Sequence, residues 1–177
     1  IPESGPVLLV SNHVSLMDAL VIGGSVRRPV RFVMDHRIFR TPVLSFIFRT
    51  ARAIPIAPAH EDEQLLNQAF ERIDAELAAG EVVCIFPEGK LTTSGDMNVF
   101  RGGVERILAR RQVPVVPLAL RGLWGSFFSR RAGAAMRRWP RRFWSRIELV
   151  AGPTVAPQAA SATMLQVKVA ELRGDWR

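Results

Sequence analysis

Five short, mostly apolar runs, each bounded by turn residues, constrain the fold of this chain more than any other feature. They are Val7 to Val10, Val30 to Met34, Val82 to Phe86, Val115 to Leu120 and Ile147 to Val150, and their length and boundaries mark them as strands. Between the second and third lies an amphipathic segment, Asp62 to Ala79. Its Leu66, Phe70, Ile73 and Leu77 are spaced by four, three and four residues, and Gly80 is placed to end it; this is the periodicity of a helix with one buried face. Thr41-Pro42 reads as a second helix start, with proline at the first helical position, leading into Val43-Leu44-Ser45-Phe46-Ile47-Phe48, apolar except for Ser45. Gly102-Gly103 to about Arg111 and Ser161 to about Leu172 give two more helices. Strands alternating with helices predict an α/β domain built on a mostly parallel central sheet flanked by helices. At 177 residues, with 48% hydrophobic and 23% charged, the chain suits one domain with one substantial core, spanning residues 1–177.

Charge is distributed unevenly. The net charge is +8, and the segment Arg121 to Arg146 holds eight of the 24 basic residues and no acid, so the 16 basic residues elsewhere match the 16 acids. A basic face on a neutral body implies an anionic surface as partner, nucleic acid or acidic phospholipid. Aromatic residues interleave with these arginines: Trp124, Phe127, Phe128, Trp139, Phe143 and Trp144. They suit stacking on bases and equally suit a membrane interface.

The single cysteine, Cys84, excludes an internal disulfide framework and lies within a strand-like run. No window reaches the roughly 18 to 20 uninterrupted apolar residues of a spanning helix, so membrane contact by these residues is expected to be peripheral. The start, Ile1-Pro2-Glu3, carries no signal-peptide pattern and is expected to have been cut from a longer chain.

Two constellations follow strands. The first is Asn12-His13-Val14-Ser15-Leu16-Met17-Asp18. The carboxyl ends of strands in α/β sheets are where loops converge on a crevice. A histidine there can act as general base near neutral pH, and a carboxylate within reach would fix its tautomer and stabilise the imidazolium. Five residues apart on a regular helix would separate the two by about 140°, so the pairing needs His13 on the loop and Asp18 in the first helical turn. Ser15-x-x-Asp18 also reads as a capping box with Ser15 as N-cap, a purely structural use of the same carboxylate. His36 and His60 have no comparable setting and read as ordinary surface or hydrogen-bonded residues.

The second constellation is Phe86-Pro87-Glu88-Gly89-Lys90-Leu91-Thr92. Proline ends the strand, glycine lets the backbone turn closely around a ligand, and Glu88 and Lys90 offer polar groups at the sheet edge; the alternative is a solvent turn. A Walker loop is excluded, because Leu91 follows Gly89-Lys90 and Cys84 stands where that motif needs glycine. The lone cysteine and three scattered histidines form no metal-ligand spacing, and no Gly-x-Ser-x-Gly elbow is present.

Asn12-His13 with Asp18, then Arg52-Ala53-Ile54-Pro55-Ile56, then Phe86-Pro87-Glu88-Gly89, then Val113-Pro114-Val115-Val116-Pro117 resemble, in order and spacing, the four blocks of the lysophospholipid (glycerolipid) acyltransferase family, over about Val7 to Leu120. The resemblance implies a glycerolipid acyltransferase-like fold. It also implies a reaction in which His13, assisted by Asp18, deprotonates a lysophospholipid hydroxyl that attacks an acyl thioester, with no covalent acyl-enzyme. Glu88, Gly89 and Lys90 would border the glycerophosphate, Arg52 would meet its phosphate, and the block ending at Pro117 would shape the acyl-donor side. No cofactor or metal is implied; the donor would be acyl-coenzyme A or acyl carrier protein.

Lys90-Leu91 replace the Thr-Arg that many members carry after Phe-Pro-Glu-Gly, which puts a phosphate contact in question. Phe86 to Thr92, Gly95, Phe100-Arg101, Gly103-Val104-Glu105-Arg106 and the run Leu120 to Arg130 are most similar to the acylglycerophosphoethanolamine acyltransferase branch. In that branch the domain is commonly fused to an acyl-carrier-protein synthetase or a transporter region. The expected partners are then the lysophospholipid, the thioester and an anionic membrane, met at the cytoplasmic face of the inner membrane through Trp124, Phe127, Phe128, Arg137, Arg138, Arg141 and Arg142, with no nucleic acid. The competing readings are a basic nucleic-acid-binding module, an inactive lipid-binding scaffold, and a hydrolase using the same base with water.

Overall fold

The computed structural model describes residues 1–40, 46, 48–126, 128–130 and 146–175. Six strands form one sheet: β1 (Val7–Ser11), β2 (Val30–Asp35), β3 (Ile54–Ile56), β4 (Val82–Ile85), β5 (Val115–Arg121) and β6 (Glu148–Ala151). Their order across the sheet is β3-β2-β4-β1-β5-β6. Every pairing is parallel except β5 with β6, as the strand and helix alternation predicts. The four described α-helices are α1 (Asp18–Ser25), α2 (Glu63–Ala78), α3 (Gly103–Arg110) and α4 (Ala162–Arg173).

The sheet is apolar on both faces because its central strands are buried throughout. Leu8 and Val10 of β1, with Val83 and Ile85 of β4, face one cluster completed by Phe70, Ile73 and Leu77 of α2, Val104, Ile107 and Leu108 of α3, and Leu165 and Val169 of α4. Val7, Leu9, Val82 and Cys84, one residue out of phase, face a second cluster with Ala19 and Ile22 of α1. This alternation is the two-residue period of a strand. Burying an apolar side chain of this size stabilises by about 1.5 to 3 kcal/mol before the entropy of ordering it is set against that gain.

Helix α2 begins and ends within a residue of expectation, for identifiable reasons. Asp62 caps it, its side chain accepting from Leu65 N at 2.8 Å. At the other end Gly80, at φ +82, donates to Leu77 O at 3.0 Å while Glu81 N reaches Glu76 O at 3.0 Å, the paired bonds of a Schellman motif. The helix expected from Thr41 falls largely outside the described residues, although 46 and 48–50 are helical. Strand β3 was not apparent in the sequence: it is three residues long with Pro55 at its centre, tolerated because β3 is an edge strand.

The topology opens a crevice between β1 and β4. The chain leaves β1 through α1 on the Leu9 face, and leaves the adjacent β4 through α3 on the Leu8 face. Neighbouring parallel strands whose connections depart to opposite faces leave an opening at their carboxyl ends, where α/β domains place their ligands.

Candidate active site

Both sequence constellations meet in that crevice. Ser11 is the last residue of β1, and the loop beyond it is pinned by Asn12, which is fully buried. Its side-chain Nδ2 donates to Leu120 O at 3.0 Å and its Oδ1 accepts from Leu120 N at 2.8 Å. Both polar ends of the amide are therefore satisfied by one residue of β5, which fixes where the next residue, His13, emerges.

His13 Nδ1 lies 2.8 Å from Asp18 Oδ2. Asp18 is 0% exposed, whereas the His13 side chain retains 23% exposure. The same Oδ2 accepts from Val14 N at 2.6 Å and Ser15 N at 3.0 Å, and Oδ1 accepts from Ser15 N at 3.1 Å. Donors converge on both oxygens, the arrangement that supports a buried carboxylate. An acceptor at Nδ1 sets the proton on that nitrogen and leaves the Nε2 lone pair free to take a proton. The ring is held in plane against Phe86, centroids 4.4 Å apart and planes 20° from parallel.

Ser15 and Asp18 form one half of the expected capping box: Asp18 reaches back to Ser15 N, but the Ser15 hydroxyl accepts from Met17 N at 3.2 Å, and the residue preceding the regular helix is Met17. The carboxylate thus organises the loop and the imidazole together.

Glu88 is 1% exposed and joins the two constellations. Its Oε1 accepts from His13 N at 2.7 Å, and its Oε2 accepts from Asn98 N at 2.7 Å and Asn98 Nδ2 at 2.8 Å. Burial pushes the carboxyl above the ordinary glutamate value; the bonds from Asn98 and His13 oppose that rise. Thr92 N also donates to His13 O at 3.1 Å, so both backbone polar groups of His13 are tied to the turn after β4. Beneath the site, burial pushes the Cys84 thiol up, and the nearby Asp18 charge adds to the effect, which makes the chain's one cysteine a poor nucleophile.

Gly89, at φ +66, and Lys90 are exposed at the mouth of the turn, and the Arg101 guanidinium packs over Gly89, 3.3 to 3.5 Å from where a Cβ would stand. Pro117 is buried within β5, in register with Val10 of β1, and its carbonyl accepts from Gly152 N at 2.9 Å. Arg52 lines a separate cavity of about 470 Å³ with His36, Phe39, Arg49, Ala53, Pro55 and Arg72. Trp124 is half-buried, lying over Gly95 and against the apolar cluster that includes α1. Phe128 is half-buried, and its carbonyl accepts from Leu16 N. Phe127, Arg137, Arg138, Arg141 and Arg142 lie outside the described residues. Of the basic segment, Arg121 and Arg146 both pair with Glu148, at 3.4 and 2.7 Å. Among the described residues no group of histidine, cysteine, aspartate and glutamate is arranged to hold a metal, and no helix is long and apolar enough to cross a membrane.

The anchoring role of Asn12, and Asn98 altogether, were missed by sequence reasoning. Asn12 offered a signal, a polar residue wedged between a buried strand and a candidate base; Asn98 lies in a loop with no periodicity to mark it.

A buried carboxylate hydrogen-bonded to a partly exposed histidine at the mouth of a parallel sheet is an arrangement suited to acid–base chemistry. Residues 1–121 match the acyltransferase family, and the chain belongs to it. Similar proteins include the N-acylphosphatidylethanolamine synthase of Arabidopsis thaliana, 31% identical over 67% of this chain and 44% of its own length. The 1-acyl-sn-glycerol-3-phosphate acyltransferase of Borreliella burgdorferi is 26% identical over 68% of this chain and 47% of its own. The lyso-ornithine lipid O-acyltransferase of Pseudomonas aeruginosa is 29% identical over 65% of this chain and 43% of its own. The chain thus matches under half the length of each of these relatives. The crystal structure of the 1-acyl-sn-glycerophosphate acyltransferase PlsC from Thermotoga maritima shares the fold, with a TM-score of 0.71 at 22% identity, covering 100% of this chain and 70% of that one.

Proposed function

We propose that this chain transfers a fatty acyl group from a thioester to the free hydroxyl of a lysophospholipid, with His13 as general base and Asp18 as its supporting carboxylate. The observation that carries the reading is the 2.8 Å contact between His13 Nδ1 and a fully buried, multiply hydrogen-bonded Asp18. His13 Nε2 takes the hydroxyl proton as the oxygen attacks the thioester carbonyl. The tetrahedral intermediate collapses with cleavage of the carbon–sulfur bond, and the departing thiolate recovers the proton from the imidazolium. Asp18 stabilises that imidazolium and holds its orientation.

Glu88, with its oxygens already engaged, acts as a positioning residue through the backbone of His13. Gly89 and Lys90, exposed beside it, border the acceptor. The acceptor is a lysophospholipid of the phosphoethanolamine type and the donor is acyl carrier protein or coenzyme A, by resemblance to that branch. The enzyme would work at the cytoplasmic face of the inner membrane, docked through Trp124, Phe128 and the basic segment, as part of a polypeptide that carries further domains.

Incubation of the purified protein with a panel of lysolipids and both acyl donors, with products identified by mass spectrometry, tests this reading. Formation of a diacyl lipid is expected. Release of free fatty acid without any acylated lipid would assign the same base to hydrolysis and overturn the proposal.

A further inference from the structure

The cavity beside Arg52 has a feature the acyl-transfer chemistry leaves unexplained. Residues 48–53 close a helical segment with the same motif that ends α2: Arg52 N donates to Arg49 O at 3.0 Å and Ala53 N to Phe48 O at 2.8 Å. In α2 the left-handed position is Gly80, at φ +82; here it is Arg52, at φ +52, the one non-glycine residue with positive φ among those described. That conformation is costly for a residue with a Cβ, and such strain concentrates where a side chain is held for a task.

The surroundings indicate the task. Arg31, Arg37, Arg111, Arg121 and Arg146 each pair with a carboxylate, whereas among the described residues Arg52 and Arg72, like Arg28, Arg101 and Arg106 elsewhere, make no ion pair, and these two share one cavity. Both border the cavity together with Arg49 and His36. His36 Nδ1 is buried without a hydrogen bond, 3.6 Å from the carboxylate of Asp35. Phe39, Ala53 and Pro55 complete an apolar wall. The guanidinium groups of Arg52 and Arg72 beside a cavity of about 470 Å³ fit a phosphate ester, which they can bind in bidentate fashion.

Location decides which phosphate. The cavity lies beside β2 and β3, with His36 and Phe39 following β2, Arg49, Arg52 and Ala53 preceding β3 and Arg72 on α2; these strands are two and three positions from β1 in the order β3-β2-β4-β1, so at about 4.8 Å per strand they stand about 10 to 14 Å across the sheet from β1. In a glycerophospholipid acceptor the hydroxyl and the phosphate are only a few bonds apart. With the hydroxyl at His13, that phosphate stays close to the crevice between β1 and β4. A pantetheine thioester, in contrast, carries its phosphate at the far end of a long flexible arm.

We propose that the cavity bordered by His36, Arg49, Arg52 and Arg72 binds the phosphate of the pantetheine arm that carries the acyl thioester. This rests on the reading of the chain as a thioester-dependent transferase, and it moves Arg52 from the acceptor's phosphate to the donor's. Coenzyme A and carrier protein share this arm, so the site serves either donor.

The test measures binding without turnover. An unreactive S-alkyl thioether of coenzyme A, and the same thioether of phosphate-free pantetheine, are titrated by calorimetry into the full chain and its Arg52→Gly and Arg72→Gln variants. Each variant is expected to lose about tenfold in affinity for the coenzyme A compound and none for the pantetheine compound. Arg52→Gly should also melt about 2 °C higher than wild type, because the strain is relieved, which separates a lost contact from a damaged fold. In turnover, KM for the thioester should rise while KM for the lysolipid stays unchanged. Unchanged affinity in both variants, equal losses for the two compounds, or a KM change confined to the lysolipid would each overturn the assignment. Absence of acyl transfer alongside arginine-dependent coenzyme A binding would count against the transfer chemistry and leave the donor site standing.

Discussion

Replacing Asp18 by asparagine separates the two tasks of this carboxylate. Oδ2 serves His13 Nδ1, Val14 N and Ser15 N, while Oδ1 serves Ser15 N alone. An asparagine can put its carbonyl where Oδ2 stands and keep those contacts. Its amide then occupies the Oδ1 position and turns a donor toward Ser15 N. The loss is one hydrogen bond and a donor–donor contact in a buried site, about 1 to 3 kcal/mol, which lowers Tm by about 2 to 12 °C for a chain of this size. Asp18→Ala strips the partners from two backbone N–H groups and should cost about 2 to 6 kcal/mol, a large part of a typical domain's stability. Acyl transfer should fall by about 10² to 10⁴ in folded Asp18→Asn, because a neutral amide does not stabilise the imidazolium. Thermal melts and single-turnover acyl transfer, measured on the same samples, check both parts. Wild-type transfer by folded Asp18→Asn, or equal destabilisation by the two substitutions, would refute the division of labour drawn from these distances.

Two further outcomes follow from the same structure. Because burial raises the folded-state pKa of Glu88 above the ordinary glutamate value, the stability this group contributes is complete below that ordinary value and is lost as pH rises through the folded-state value; the unfolding free energy of wild type should therefore fall relative to Glu88→Gln as pH rises toward neutrality, and a difference that does not vary with pH would contradict the burial argument. Liposome co-sedimentation should show binding that grows with anionic lipid, weakens with salt and is lost when Arg137, Arg138, Arg141 and Arg142 are replaced by glutamate; equal binding by both proteins at every salt concentration would remove the basic segment from membrane docking.

Much of the fold could be read from the sequence because its strands are either buried on both faces or short and sharply bounded, and because α2 carries its own stop and start signals in Asp62 and Gly80. Strand β3 escaped notice because three residues containing a proline show no period, and only its edge position, a property of the assembled sheet, permits it. The juxtaposition of His13 and Asp18 could be argued from loop and helix geometry. That Glu88 would spend its carboxylate on the backbone of His13 could not, since a contact across 75 residues depends on β1 and β4 lying side by side. Arg52 carried no mark in the sequence beyond the block it stands in; its left-handed backbone angle depends on how the helical segment before β3 ends in the folded chain.

The most direct test of the account is single-turnover acyl transfer from an acyl thioester to a lysolipid by the wild type and by His13→Ala, with melting curves recorded on the same preparations. The account predicts a fall of about 10² to 10⁴ in the transfer rate with the protein still cooperatively folded, because Asp18 keeps its bonds from Val14 N and Ser15 N and the backbone contacts of residue 13 to Glu88 and Thr92 survive the substitution. Transfer by His13→Ala at the wild-type rate with an unchanged melting curve would contradict it.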